Sequence, residues 1–256
     1  MIPDRTHLRA FTLSLIVLGI GPAVSAQDTL LPQKQDTLPA QKSPWESSAA
    51  IGLTLARGNS DLLLFTGNVK AVRKTKENEW AFGADATYGE NNSVKSAELF
   101  HAFGQYNRVF ENNFYAYARV DGLHDSIADL KYRLLISPGA GYYFIKNEKT
   151  QLSGEVGPGF IYERQGGNTH SYLTLRVAER LEHKFNDRTR LWQSLEFLPQ
   201  VDNFNNYIIN AEIGIDTALT KKLSLRTYVQ DTYDNEPAPL RKKNDVKLVT
   251  ALAYTF

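Results

Sequence analysis

His124-Asp125-Ser126 places the three side-chain types of a hydrolase relay side by side. Neighbours on an extended chain point to opposite sides, so these three cannot form one relay among themselves. A relay would need a partner from another loop, with His170 or Ser171 as candidates. Asp121, Asp125 and Asp129 could contribute to a Ca²⁺ site at the same place, but they lack the spacing of an oxygen-ligand loop, and solvated loop acids are the default reading. Ser137-Pro138-Gly139-Ala140-Gly141 and Gly157-Pro158-Gly159 are rich in glycine, yet no helix follows to offer a phosphate its N-terminus. There is no cysteine, which removes disulfides, thiolate metal sites and a thiol nucleophile. The expectation is no catalytic centre, no cofactor and no metal.

A second set of ionisable residues alternates with apolar ones. Over 170–185, Leu173, Leu175, Val177 and Leu181 share one parity, while Arg176, Arg180, Glu182 and Lys184 share the other. Over 207–219, Ile209, Ala211, Ile213, Ile215 and Leu219 oppose Asn210, Glu212, Gly214 and Asp216. A strand of this kind suits a barrel in lipid, where an outward Arg at the midplane costs roughly 2–4 kcal/mol. The charged parity must therefore face a lumen. Arg119, Asp121, Glu155, Arg176, Arg180, Glu182, Glu212, Asp216 and Arg226 all fall on it. Isolated burial costs several kcal/mol per ion, so these residues are expected to form cross-strand ion pairs that fill much of the bore and leave weak conductance with little charge preference.

Strands must position them. From Trp45 the chain divides into alternating segments at 45–56, 62–74, 79–89, 96–110, 113–125, 130–146, 151–163, 170–185, 190–201, 207–219, 223–233 and 245–256, separated by short polar turns. Each meets the 9–11 residues of a tilted spanning strand, and an even count returns both ends to one side. The expected fold is all-β, an antiparallel transmembrane β-barrel of twelve strands with short turns at both ends. The segments at 96–110 and 190–201 alternate poorly, and their faces are not assigned. A turn near Glu148 sets Pro138 nearly opposite Gly159, which predicts a paired bulge or kink. Trp45, Trp80, Phe110, Phe114, Phe144, Phe185, Trp192, Tyr254 and Phe256 gather at one end as an interfacial belt that also serves membrane insertion; Tyr88, Tyr162, Tyr172, Tyr207 and Tyr233 form the opposite girdle. The last strand ends on Phe256, with Leu248, Leu252, Tyr254 and Phe256 outward.

Residues 1–26 read as a secretory signal: Arg5, His7 and Arg9, an apolar run from Ala10 to Ile20, then Val24-Ser25-Ala26 for cleavage. Residues 27–44 carry a near-duplicated octad, Gln27–Lys34 and Gln35–Lys42, and read as a disordered periplasmic linker; 45–256 form the barrel. Removing the signal leaves 27 basic and 27 acidic residues, and a chain without basic excess is a poor partner for nucleic acid.

Gly52-Leu-Thr-Leu-Ala-Arg-Gly-Asn-Ser-Asp61, Tyr132-Arg-Leu-Leu-Ile-Ser-Pro-Gly-Ala-Gly-Tyr142, Gly154-Glu-Val-Gly-Pro-Gly-Phe-Ile-Tyr-Glu163 and the Asp234–Pro239 loop resemble, in this order, the salt-induced outer-membrane protein family (domain of unknown function 481). The resemblance runs over nearly all of 45–256, implies a barrel in the outer membrane and implies no activity. The expected role is a structural, salt-responsive envelope barrel or a narrow channel. A hydrolase built on the rim His/Ser/Asp residues is the alternative. Expected partners are outer-membrane lipids and, during biogenesis, periplasmic chaperones and the barrel assembly machinery, with a monomer as the final state. N-terminal sequencing of protein purified from the envelope should begin at Gln27; intact protein starting at Met1 in the inner membrane would refute the signal.

Overall fold

The computed structural model describes residues 45–56 and 62–256; the signal, the octad and the Gly58–Asp61 turn lie outside the described residues. Twelve strands form: β1 (Glu46–Ala56), β2 (Leu62–Lys74), β3 (Asn78–Asn91), β4 (Val94–Val109), β5 (Phe114–Asp125), β6 (Leu130–Lys146), β7 (Thr150–Gln165), β8 (Asn168–Lys184), β9 (Thr189–Pro199), β10 (Tyr207–Ala218), β11 (Leu223–Asp234) and β12 (Asn244–Thr255). These bounds agree with the segments read from sequence to within two residues. Each strand pairs antiparallel with its chain neighbours, and β1 pairs with β12, so the sheet closes into a barrel. Closure leaves no free edge, the condition for a sheet to survive without water around it. We call the end holding Trp45 and Phe256 the base and the other end the rim.

Turn chemistry fixes the hairpins. At the base, Asn147 accepts from the amides of Lys149 and Thr150, Asn186 from those of Arg188 and Thr189, and Thr220 from those of Lys222 and Leu223. At the rim, Gly166 and Gly167 (φ 57° and 81°) make the two-residue left-handed turn whose twist matches the flanking strands.

The proline pair differs from the sequence expectation. Pro138 faces Pro158, one place from Gly159, and no bulge forms: Ile136 pairs with Phe160 and Ala140 with Val156 in one unbroken frame. Neither proline has an amide hydrogen to give, so rungs are missing rather than shifted. Ser137 Oγ donates to the Pro158 carbonyl at 3.0 Å. The register shifts of this hairpin fall instead at Leu130/Tyr132 and Tyr143/Ile145.

Four large inward rings each stand directly opposite a glycine: Phe103 and Gly83, Tyr115 and Gly141, Tyr117 and Gly139, Trp192 and Gly214. Each ring lies flat over the space a Cβ would occupy, to within 2.2–2.6 Å. Trp192 therefore departs from the interfacial belt: its ring is inside the barrel, donating to Glu212. Tyr172 departs likewise, turning inward to donate to Glu163 at 3.2 Å.

The outward face is mostly apolar. Ile51, Leu53, Phe65, Val120, Ile136, Val156, Leu175, Val177, Ile213, Leu248 and Leu252 are exposed on it. Exposed rings of Trp80, Phe110, Phe114, Phe144, Phe185, Tyr254 and Phe256 surround the base, and Trp45 lies 6.0 Å from Phe82. At the rim, Tyr132 meets Tyr162 at 5.6 Å and Tyr207 meets Tyr233 at 5.8 Å. Carboxylates break the pattern in places: Glu98 stands opposite outward Tyr88 near the rim, and Glu179 and Asp231 share the parity of outward Val177 and Val229.

The glycine–ring pairs carry a test. Gly141→Val drives a side chain into Tyr115 and should cost about 1–3 kcal/mol in urea unfolding of the detergent-folded barrel. Gly122→Ala, where a Cβ meets nothing within 4 Å, should be neutral.

Candidate functional site: the bridged lumen

Inward parity on β7 to β9 sets Glu155, Arg176 and Glu196 on neighbouring strands. Arg176 reaches both acids, from Nη1 to Glu155 Oε2 and from Nε to Glu196 Oε1, each at 2.6 Å. Its guanidinium also lies 5.2 Å from the Tyr117 ring. Glu155 collects two further donors at Oε1, Gln105 Nε2 at 2.7 Å and the Tyr115 hydroxyl at 3.0 Å. Gln105 belongs to β4, three strands away around the ring, so this bond crosses the lumen.

From Gln105 the network runs on. Arg119 Nη1 donates to Gln105 at 3.0 Å while Nε and Nη2 grip Asp121 at 2.7 and 2.5 Å. His101 stands between Asp121 and Asp85, at 3.2 and 3.3 Å. A continuous polar chain thus joins β3, β4, β5, β7, β8 and β9 through mid-lumen.

The rim is bridged separately. Arg133 on β6 pairs with Glu163 on β7 and reaches Asp234 on β11 at 3.1 Å, nearly the full width of the barrel. Gln165 donates to the same Asp234 oxygen at 3.2 Å. Beside this bridge Leu135, Ile161, Leu198 and Ile208 form an inward apolar cluster with Tyr172. The 235–243 connection folds inward above, burying Ala238, and a Cβ on Gly166 would meet Pro239 at 3.0 Å.

The base is bridged a third time. Tyr143 on β6 donates to Glu79 on β3, and Lys74 on β2 reaches Gln151 on β7 at 3.0 Å. Arg226 holds Asp216 at 3.0 Å and extends across β12 and β1 to Asn68 on β2 at 3.3 Å. The inward residues it crosses are small, Ala251 and Gly52. Arg180 pairs with Glu182 at 2.7 Å, and Glu212 accepts from Trp192 at 2.5 Å and Gln230 at 2.8 Å.

All nine lumen residues expected from sequence have inward parity. Those missed include Glu79, Asp85, His101, Gln105, Arg133, Glu163, Glu196 and Asp234, together with Lys70, Lys74 and Arg190. Glu163 and Asp234 could have been found by extending the parity of β7 and β11; His101, Gln105 and Glu196 sit on the two segments whose alternation is obscured by inward Phe103 and Trp192.

The rim histidine and serine do meet, though on the outward side. Ser126 Oγ lies 3.2 Å from His124 Nε2, and His124 Nδ1 lies 2.8 Å from the Lys131 carbonyl. Ser126 gives its proton to Glu98, however, and Glu98 is paired with Lys95 at 2.7 Å. Asp125 faces away and caps the amides of Ile127 and Ala128. His170 and Ser171 line a shallow rim pocket with Glu163, Gln200 and Glu236 instead. Asp121, Asp125 and Asp129 do not converge, and no group of three or more His, Asp or Glu able to hold a metal occurs among the described residues.

Residues 49–256 match the profile of the family described as "Protein of unknown function, DUF481". No curated protein matches the chain in sequence. Among solved structures, the NanC porin is 5% identical with a TM-score of 0.52, covering 83% of this chain and 99% of the porin. An outer-membrane channel from Pseudomonas putida F1 is 11% identical with a TM-score of 0.48, covering 83% and 94%. At 5% identity the likeness to the porin is one of fold alone.

Arg176 tests the network. Its side chain is 5% exposed between two acids, so Arg176→Met leaves both carboxylates without a cation and should cost about 3–5 kcal/mol. Glu182→Gln breaks a pair whose Arg180 is 46% exposed and should cost about 1 kcal/mol or less. Urea midpoints of the two folded variants decide.

Proposed function

The chain belongs to the DUF481 family of proteins of unknown function, and from that premise we propose an exported outer-membrane barrel whose bridged lumen makes it a structural, salt-responsive envelope element or a narrow channel of low conductance. One observation carries the reading: side chains from far-apart strands bond across the lumen at rim, middle and base. A bore crossed by three layers of paired side chains has little width left for hydrated ions. The apolar outer belt between two aromatic rings supports a lipid setting. In this orientation the base faces the periplasm, because the chain reaches β1 there from the expected signal and linker. The 235–243 connection, the longest described one at the rim, then faces outward. The protein works as a monomer among outer-membrane lipids, delivered by periplasmic chaperones and inserted by the barrel assembly machinery. It has no enzymatic role in this reading, since the rim serine's proton is committed to a carboxylate.

Single-channel recording tests it. The wild-type barrel in planar bilayers should give small steps or none. Arg133→Ala combined with Asp234→Ala removes the rim bridge and should enlarge the steps several-fold. Large steps from the wild type, unchanged in the double variant, would overturn the proposal.

A further inference from the structure

Acids and bases balance along much of the lumen, but at the base the cations are in excess. Four inward cations, Lys70 on β2, Arg180 on β8, Arg190 on β9 and Arg226 on β11, all lie within four residues of the base end of their strands. Bonds on separate walls bring them together. Arg226 donates to Asn68, two residues from Lys70 on the same face and so about 7 Å along the strand. Lys74 reaches Gln151, the register partner of Glu182, which Arg180 holds. The β2 wall thus touches the β7–β8 wall, with Arg180 one inward position and Lys70 two inward positions further in. Arg190 and Arg226 share a single oxygen, Asp216 Oδ2, at 3.3 and 3.0 Å.

These cations outnumber their counter-ions. Counting Lys74, five cations face three carboxylates, Glu182, Asp216 and Glu212, and Glu79 is matched by Lys146 at 3.7 Å, which leaves a local charge of +2. Glu212 is already engaged by Trp192 and Gln230. Lys70 has no hydrogen bond or ion pair among the described residues; its charged neighbours are Arg180, Arg190 and Arg226, with Glu182 the one acid. An ammonium held among three guanidiniums is repelled by each of them, and an anion between the walls would turn that repulsion into attraction.

We propose that the base half of the lumen binds a compact phosphate-class oxyanion, with Lys70 and Arg180 gripping it from opposite walls and Arg190 and Arg226 closing the sides. Guanidinium forks match the oxygens of a phosphoryl group, an ammonium supplies a point charge, and a dianion balances the excess. A ligand entering from the base has to part only the Lys74–Gln151 contact there, and need not pass the bridges at mid-lumen and rim.

The test uses the full-length mature barrel folded in detergent at pH 6.5, where Lys70 is charged, with inorganic phosphate as probe and chloride and acetate at matched ionic strength as comparators. Phosphate should raise the thermal midpoint above both comparators, as a ligand specific to the folded state does. Lys70→Gln removes an unpaired cation, so it should fold at least as stably in chloride yet bind phosphate at least tenfold more weakly by calorimetry. Equal midpoints in all three salts, or full phosphate affinity in Lys70→Gln, would overturn the proposal. The measurement needs no current, so it can fail while the channel reading stands, and the reverse.

Discussion

Closing a twelve-stranded sheet on itself turns every second side chain toward a narrow shared interior, and the need to pair charge in that interior governs the rest of the molecule. Register sets only the neighbours along a rung. Arg119 and Asp121, two residues apart on one strand, and Asp216 and Arg226, on one rung, are examples of the pairs that register and alternation allow. The remaining lone pairs and donors must be satisfied over the void, which is why Gln105 reaches Glu155 and Arg133 reaches Asp234. A satisfied network of this kind stiffens the wall; one left half paired would be worse than an apolar core.

The rings laid over glycines make that pairing possible. A bulky side chain standing upright would fill the bore and separate the charges. Flattened onto Gly141, Tyr115 instead extends its hydroxyl to Glu155, and Tyr117 on Gly139 offers a face to Arg176. Gly139 and Gly141 therefore act as floor space in the wall, covered from inside. Pro138 and Pro158 add two outward-facing residues without amide hydrogens at a place where the ladder already yields.

Most of this fold was legible because alternation is a local property. Strand limits, strand number and the inward parity of Arg176, Glu212 and Asp216 follow from residues within one segment. The misassigned faces share a common reason: Phe103, Trp192 and Tyr172 are large rings used inside, where alternation leads one to expect polar groups. That hid the faces of β4 and β9 and put Trp192 and Tyr172 in the wrong belts. Partners across the bore, such as Arg133 and Asp234, depend on barrel width and side-chain reach, which no single segment encodes. The same limit applies to the crowding of Lys70, Arg180, Arg190 and Arg226, which come from strands spread over more than half the ring.

The pairing of β1 with β12 spans four rungs, Ser48 with Thr255 to Ile51 with Leu252, whereas β1 pairs with β2 over eleven. Inside, this join is lined by Ala50, Ala251 and Ala253, which give it little side-chain interlock. Arg226, stretched over it from β11 to Asn68 on β2, works as a clasp. If the cylinder ever parts along its length, it parts there, and a single guanidinium is the stitch that must come undone.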